Sequence, residues 1–355
     1  MYYKYTAIAQ HCQVFSTIRI GKNAMPFHLI KGTFHVTNYS PDGDTIRFQP
    51  DNEANIARLS GVSAKFNARR HVSLRLEGID TLETHFSGLK QPPPLADDAT
   101  DFLLDMVGIT NVVWSHERRN IASADDGVRG HIMARSTDKF GRIIAFAFAG
   151  NVGEEDGAEV FLDQNRLSES VNSKLASEGF AYPTFYWGLF ADLRDALTET
   201  VAAARDAGKG VYAVDQTISG VEIASLKTIT DEAVILPKLF RRLSAYIKET
   251  GGVAGFKVAM EASEEPVLDL RENNFTHFDT FIVEEDSVIR LTRRPEEFVF
   301  DPMPERIGSD FPALLATAAN VKEASSTKAM AVGPAESMGG DNAYKFHQRV
   351  EKLLS

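Results

Sequence analysis

The feature that most constrains this chain is a succession of short alternating runs broken by turn residues. TFHVTNY (33–39) alternates polar and apolar side chains, PDGD (41–44) is a turn, and TIRF (45–48) alternates again. VSLRLEGI (72–79) is a third run, and NVVWSHE (111–117) and GRIIAFAFAG (141–150) are two more. A period of two sends successive side chains to opposite faces, so each run is a strand that can cover a core. Helical spacing is confined to a few stretches. In LADDATDFLLDMVG, Ala99, Phe102, Leu103 and Met106 share one face. NRLSESVNSKLASEGF predicts a helix closed by Gly179, and LFADLRDALTETVAAARDAG a longer one ending at Gly208 or Gly210. Pro92, Pro93 and Pro94 exclude helix from the loop before Leu95.

Five strands with three helices that do not alternate as βαβ units predict a barrel with inserted and appended helices. Residues 1–31 have no strong periodicity and are expected to be an N-terminal extension. After about residue 215 the pattern restarts. LPKLFRRLSAYIKETGG predicts an amphipathic helix with Pro at its start and Gly at its end. FTHFDTFIVEEDSVIRLTRR predicts two strands around an acidic turn. Residues 220–312 are thus expected to form a smaller, separate α+β domain. The Ala-, Ser- and Gly-rich stretch after 313 predicts a flexible linker, followed by a short terminal helix ending near residue 355.

The chain has 355 residues and a formal net charge of −11, unusual for a protein that grips phosphates. The acidity is densest in 220–312, where 18 acidic side chains face 11 basic ones. A nucleic-acid surface is therefore not expected there, whereas a protein partner is compatible with it. The one cysteine, Cys12, excludes an intrachain disulfide. No apolar run approaches the roughly 18 residues of a membrane span, and the N-terminus lacks the pattern of a secretion signal, so a cytoplasmic protein is expected.

The charged residues of the barrel segment raise a chemical question. Asp42 and Asp44 flank Gly43 in the first turn, while Asp80 and Glu83 follow the third strand, which contains Arg75. Carboxylates avoid burial unless they are paired, hydrogen-bonded or bound to a metal. Strict alternation puts Arg75 and Asp80 on opposite faces, so they share a site only if the strand bends, and Gly78 is placed to allow that. Two Asp carboxylates converging there suit a hard cation, calcium or magnesium. A nearby Glu can take a proton from water, and two arginines, Arg75 and Arg142, can clamp a phosphoryl group. Each piece alone has a plain reading: DGD is commonest as a turn, and DKFGR as a hairpin tip. The nine His have no metal-ligand spacing. His71, His85 and His131 are expected on the surface or in the core.

Together the pieces resemble a known family. Asp42-Gly43-Asp44-Thr45, then Arg75 through Ile79-Asp80-Thr81-Leu82-Glu83-Thr84, then Asp138-Lys139-Phe140-Gly141-Arg142 stand in the order and spacing of the thermonuclease (staphylococcal nuclease-like) family. Val171-Asn172, Gly179-Phe180-Ala181 and AAARDAGKGVY follow as its later elements. The resemblance covers residues 32 to about 213, within a domain expected at 32–215. It implies an OB-type five-stranded barrel with three helices, and a calcium-dependent nuclease acting on DNA or RNA, single strands preferred. It implies that Asp44, Asp80 and the carbonyl of Thr81 hold the metal, with Asp42 orienting the site. Glu83 is implied as the general base, and Arg75 and Arg142 as the stabilisers of phosphoryl charge. Lys139 and the aromatic trio Phe185, Tyr186 and Trp187 are expected near the substrate, the trio as a stacking platform or as core. Three departures stand out: Leu82 where the family has Pro, Phe140 where Tyr is common, and a long excursion at 50–70 carrying Lys65, Arg69 and Arg70. The rival expectation is a non-catalytic nucleic-acid-binding or scaffold module of the same fold; the retained acids and arginines favour catalysis.

Overall fold

A computed structural model describes residues 26–301. Cys12, the linker and the terminal helix lie outside the described residues. Strand β1 (Phe27–His35) starts inside the stretch expected to be an extension. It pairs antiparallel with β2 (Thr45–Pro50), which pairs antiparallel with β3 (Val72–Leu76). A short helix, α1 (Glu53–Ile56), opens the excursion between β2 and β3. After Gly78 the chain runs through β4 (Ile79–Thr81) to helix α2 (Leu95–Val107), stopped by Gly108 in the left-handed conformation. Strands β5 (Thr110–Trp114) and β6 (Ile121–Asp125) form a two-stranded ribbon. Strands β7 (Val128–Thr137) and β8 (Ile143–Ala149) follow.

Pairing β3–β8 is parallel, and β8–β7 and β7–β1 are antiparallel. The sheet β1-β2-β3-β8-β7 thereby closes on itself as a five-stranded barrel. The count of five agrees with the sequence expectation, but the membership differs. NVVWSHE lies in the β5–β6 ribbon, and the fifth barrel strand is VRGHIMARST. Its middle is buried on both faces: Ile132 and Ala134 fill the barrel, while Met133 packs in a second cluster with Leu193 and Leu197. A strand covered on both sides has no clean alternation to betray it.

Strand β9 (Glu159–Val160) extends β1 at its edge. The single helix expected at 165–178 is two, α3 (Gln164–Glu169) and α4 (Val171–Ser177). They break at Ser170, whose extended backbone lets its hydroxyl accept from Ser173 N at 3.1 Å and cap α4. Then come β10 (Ala181–Pro183), β11 (Phe185–Tyr186) and α5 (Ala191–Asp206). β10 pairs with β4, so Tyr182 stands opposite Asp80.

Beyond residue 220 lie β12 (Val221–Glu222), α6 (Pro237–Thr250), α7 (Phe256–Ser263) and β13 (Pro266–Asp269). They are followed by β14 (Asn274–His277), β15 (Ile282–Glu285), β16 (Val288–Leu291) and β17 (Phe298–Phe300). The hairpin β15–β16 is the expected pair around an acidic turn, with Asp286 at φ 56°. These elements do not stand apart from the barrel. β17 pairs in parallel with β11, and Leu82, Ala96 and Tyr182 belong to the same hydrophobic cluster as Leu236, Leu239, Phe240 and Leu243. Burial of apolar area is non-directional, so this shared cluster, distinct from the barrel interior, packs the later segment against the barrel end that carries the acids. Among the described residues no helix is long and apolar enough to cross a membrane.

Candidate active site

The site begins with the bend that the sequence required. Gly78 has φ +81°, a conformation side chains rarely adopt, and a Cβ there would meet Leu197 Cδ1 at 2.6 Å. The bend turns Asp80 to the side of Arg75, and Arg75 Nη2 reaches Asp80 Oδ1 at 3.4 Å. Register does the rest. Thr45 is the direct partner of Arg75 across β2–β3, which puts Asp44 at the same level, and Leu76 N donates to Asp44 O at 2.8 Å. Gly43 lets the first turn approach β4: a Cβ there would meet Thr81 Oγ1 at 2.6 Å and Ala99 Cβ at 2.9 Å.

Asp44 and Asp80 are buried, Asp80 to 1 % exposure. Thr45 Oγ1 donates to Asp44 Oδ1 at 2.9 Å. Asp42 Oδ1 accepts from its neighbour Gly43 N at 2.9 Å and from Thr84 Oγ1 at 3.1 Å, tying the turn to the Glu83 segment. Thr81 is buried, and its hydroxyl has no hydrogen-bond partner. Arg142 lies close enough to Asp44 to favour its ionised form. It is steered by its own turn: Nε donates to Asp138 Oδ2 at 2.7 Å, and Asp138 Oδ1 accepts from Phe140 N and Arg142 N.

These surroundings split the carboxylates. Burial, with the nearby charges of Glu83 and Asp44, pushes Asp42 well above the usual carboxylate range. Burial also raises Asp44, against the pull of Arg75. Burial works against ionisation of Asp80 too, but Arg241 and Arg75 outweigh it and hold its carboxyl below the usual range. Glu83 is raised by burial, which Arg241 offsets only in part. One buried cluster thus holds acids poised differently, the pattern that acid–base chemistry uses.

Arg241, on α6, is the residue that sequence reasoning missed. Its Nη2 donates to Asp80 Oδ2 at 2.7 Å, its Nη1 contacts Asp80 Oδ1 at 3.2 Å, and Nη1 also binds Glu83 Oε1. This is a two-pronged guanidinium–carboxylate pair with a second carboxylate on the same fork. Two neighbours keep it there. Leu82, the departure from the family's Pro, is fully buried against α6 residues. Gln91, also fully buried, accepts from Glu83 N at 3.1 Å and donates to Ile235 O at 2.8 Å, just ahead of α6. One turn before Arg241, Lys238 is buried, pairs with Glu265 at 2.6 Å and lies over the rings of Phe300 and Tyr186. A local signal existed: Lys238 and Arg241 share a helix face with apolar neighbours. Nothing local named partners 160 residues away.

The other expected site residues divide. Lys139 lies over the ring of Phe140 rather than on the acids. The aromatic trio does not form one platform. Phe185 is fully buried, Tyr186 packs against Phe300 with Arg75 over its ring, and only Trp187 is exposed, at 53 %. The 50–70 excursion is tied down: Lys65 N donates to Gly141 O at 3.0 Å, Arg69 Nη1 donates to Thr37 O at 3.1 Å, and Arg70 pairs with Glu53. Of the three histidines, His71 stacks on His35, His131 stacks on Phe148, and His85 is exposed beside Thr84.

A metal between Asp44, Asp80 and Thr81 is what the resemblance implies. Among the described residues no group of three or more His, Cys, Asp or Glu is arranged to hold one. Both oxygens of Asp80 and one of Glu83 are spent on Arg241. A divalent ion does not fit those carboxylates while α6 is seated. No protein-family model matches the chain, and no curated protein matches it.

Proposed function

We propose that this chain is a nuclease of the thermonuclease-like kind, built on an OB-type barrel and hydrolysing phosphodiester bonds of DNA or RNA. The observation that carries the reading is the convergence of Arg75, Asp44, Asp80 and Glu83 at one end of the barrel, with Arg142 beside Asp44. In this reading Glu83 takes a proton from the attacking water, and its burial makes it a better base than an exposed carboxylate. Arg75 and Arg142 neutralise the charge that builds on the phosphoryl oxygens. Asp42 and Thr84 keep the turn and the Glu83 segment in register. Trp187 offers a face to an unstacked base, which favours single strands.

The test is cleavage of labelled single-stranded DNA, RNA and duplex DNA with calcium, magnesium or chelator, run beside Glu83→Gln. Cleavage that collapses in the variant is the expected result. Cleavage that survives it removes Glu83 from the role. The pairing of Arg241 with Asp80 and Glu83 favours a second reading, a non-catalytic nucleic-acid-binding or scaffold module. Retained binding with no cleavage under any of these conditions selects it.

A further inference from the structure

We propose that Arg241 is the resident counter-cation of this site and competes with a divalent metal ion for Asp80 and Glu83. The proposal deepens the nuclease reading by naming how the same site is controlled, and only its consequence for cleavage rests on that reading. Asp80 and Glu83 lie side by side in a largely water-free setting, and two buried carboxylates repel unless a cation stands between them. The Arg75 contact is single and long, 3.4 Å, whereas Arg241 makes three contacts and reaches both acids. A hard cation of 6–8 oxygen ligands would need these same lone pairs. The Arg241 guanidinium and a metal compete for them, because both are positive and would be within a few ångströms of each other.

The seating of α6 is built for this. Leu82 is buried among α6 residues, and Gln91 bridges Glu83 N to Ile235 O. Lys248 Nζ donates to Ser87 O at 2.7 Å, further along the same loop. The 82–91 segment that carries Glu83 is thus held along the length of α6; Arg241 hydrogen-bonds both acids, while Lys238 favours the charge on Asp80 from further off. Loss of the Arg241 fork would release Glu83 Oε1 and both oxygens of Asp80 together. The unpartnered hydroxyl of Thr81 lies in the same buried cluster. In the seated state both oxygens of Asp80 and one of Glu83 are occupied by Arg241, which leaves the second oxygen of Glu83.

The experiment titrates the full chain with calcium chloride by calorimetry and follows the melting temperature with and without calcium. The proteins are the wild type, Arg241→Gln, Arg241→Lys and the double variant Arg241→Gln/Asp80→Asn. The wild type should show little calcium-dependent rise in Tm. Arg241→Gln should melt lower in chelator, recover with calcium and bind calcium about tenfold or more tightly than the wild type. Arg241→Lys, which keeps the charge but loses the fork, should fall between them. The double variant should lose the calcium response. Equal calcium binding by wild type and Arg241→Gln overturns the proposal, as does a folded Arg241→Gln that ignores calcium. Should Arg241→Gln fold only with calcium present, the competition is supported; should it fold under neither condition, Arg241→Lys decides by gaining or failing to gain calcium affinity. Cleavage is read in parallel. Calcium binding without cleavage keeps the competition and removes the nuclease. Cleavage by the wild type with neither calcium affinity nor cleavage gained in Arg241→Gln keeps the nuclease and removes the competition.

Discussion

Asn172 ties the barrel to the bend that makes the site, and its removal should disturb both. The residue is fully buried on α4. Its Oδ1 accepts from Ala147 N at 3.1 Å, and its Nδ2 donates to Glu77 O at 2.9 Å and to Ala145 O at 3.1 Å. Replacement by Leu, of similar volume, removes all three bonds. Ala145 O keeps a partner, because Glu77 N also donates to it at 2.9 Å. The cost therefore falls on a buried amide, Ala147 N, and on the carbonyl of Glu77. Stranding a buried polar group costs about 1–3 kcal/mol, so the two together predict a loss of about 2–6 kcal/mol. The assay is urea unfolding followed by tryptophan fluorescence and circular dichroism. A lower midpoint at unchanged slope is expected. Since Glu77 immediately precedes Gly78, the change should also loosen the Arg75–Asp80 contact and reduce cleavage more than the stability loss alone accounts for. A stability change below about 1 kcal/mol would refute the reasoning, because it would mean the freed groups found other partners at no cost.

Other outcomes follow from particular side chains. Burial pushes Glu77 up to about 7 from its ordinary 4.5, with Arg135 opposing. Between those two values the folded state holds more protons than the unfolded one, so this carboxyl makes stability fall as pH rises from about 4.5 to 7, by at most about 3 kcal/mol. Glu77→Gln should flatten that slope in unfolding measured across the window, and an unchanged slope removes Glu77 as its cause. Phe185→Ala should cost about 3–5 kcal/mol of stability through the cavity it leaves. Trp187→Ala should leave the melting curve in place and weaken single-strand binding by about 1–3 kcal/mol, measured by fluorescence anisotropy. The reverse assignment of these two effects would mean that the base stacks elsewhere. Gly78→Ala should lower both stability and cleavage, since it adds a Cβ at positive φ against Leu197; a fully active, equally stable variant would remove the bend from the account.

Much of the barrel was legible because its logic is local. Alternation located β2, β3, β8 and the end of β1, glycine marked the end of α4 and the bend before Asp80, and the DGD turn announced itself by composition. The acids and Arg75 could be grouped from sequence for the same reason: a bend at Gly78 and a strand register of a few residues bring them together. Strand β7 escaped, since burial on both faces erases the period that reveals a strand. The split between α3 and α4 escaped as well, because Ser170 is as ordinary inside a helical pattern as it is in its capping role.

What the tertiary structure alone decided is the state of the site. The amphipathic pattern of α6 foretold a buried face but not the surface it would bury against. Placing Arg241 on Asp80 and Glu83 required the hydrophobic cluster that joins Leu82 to Leu236, Leu239 and Leu243. Such clustering is non-directional and acts between segments far apart in the chain, so no spacing rule records it. The same holds for Phe185 and Trp187, neighbours of one chemical kind in sequence. Pairing of β11 with β17 sent one into the core and left the other in water. Sequence supplied the chemical groups and the local bends that aim them; the long-range packing determined which of them are exposed and which are already answered from within the chain.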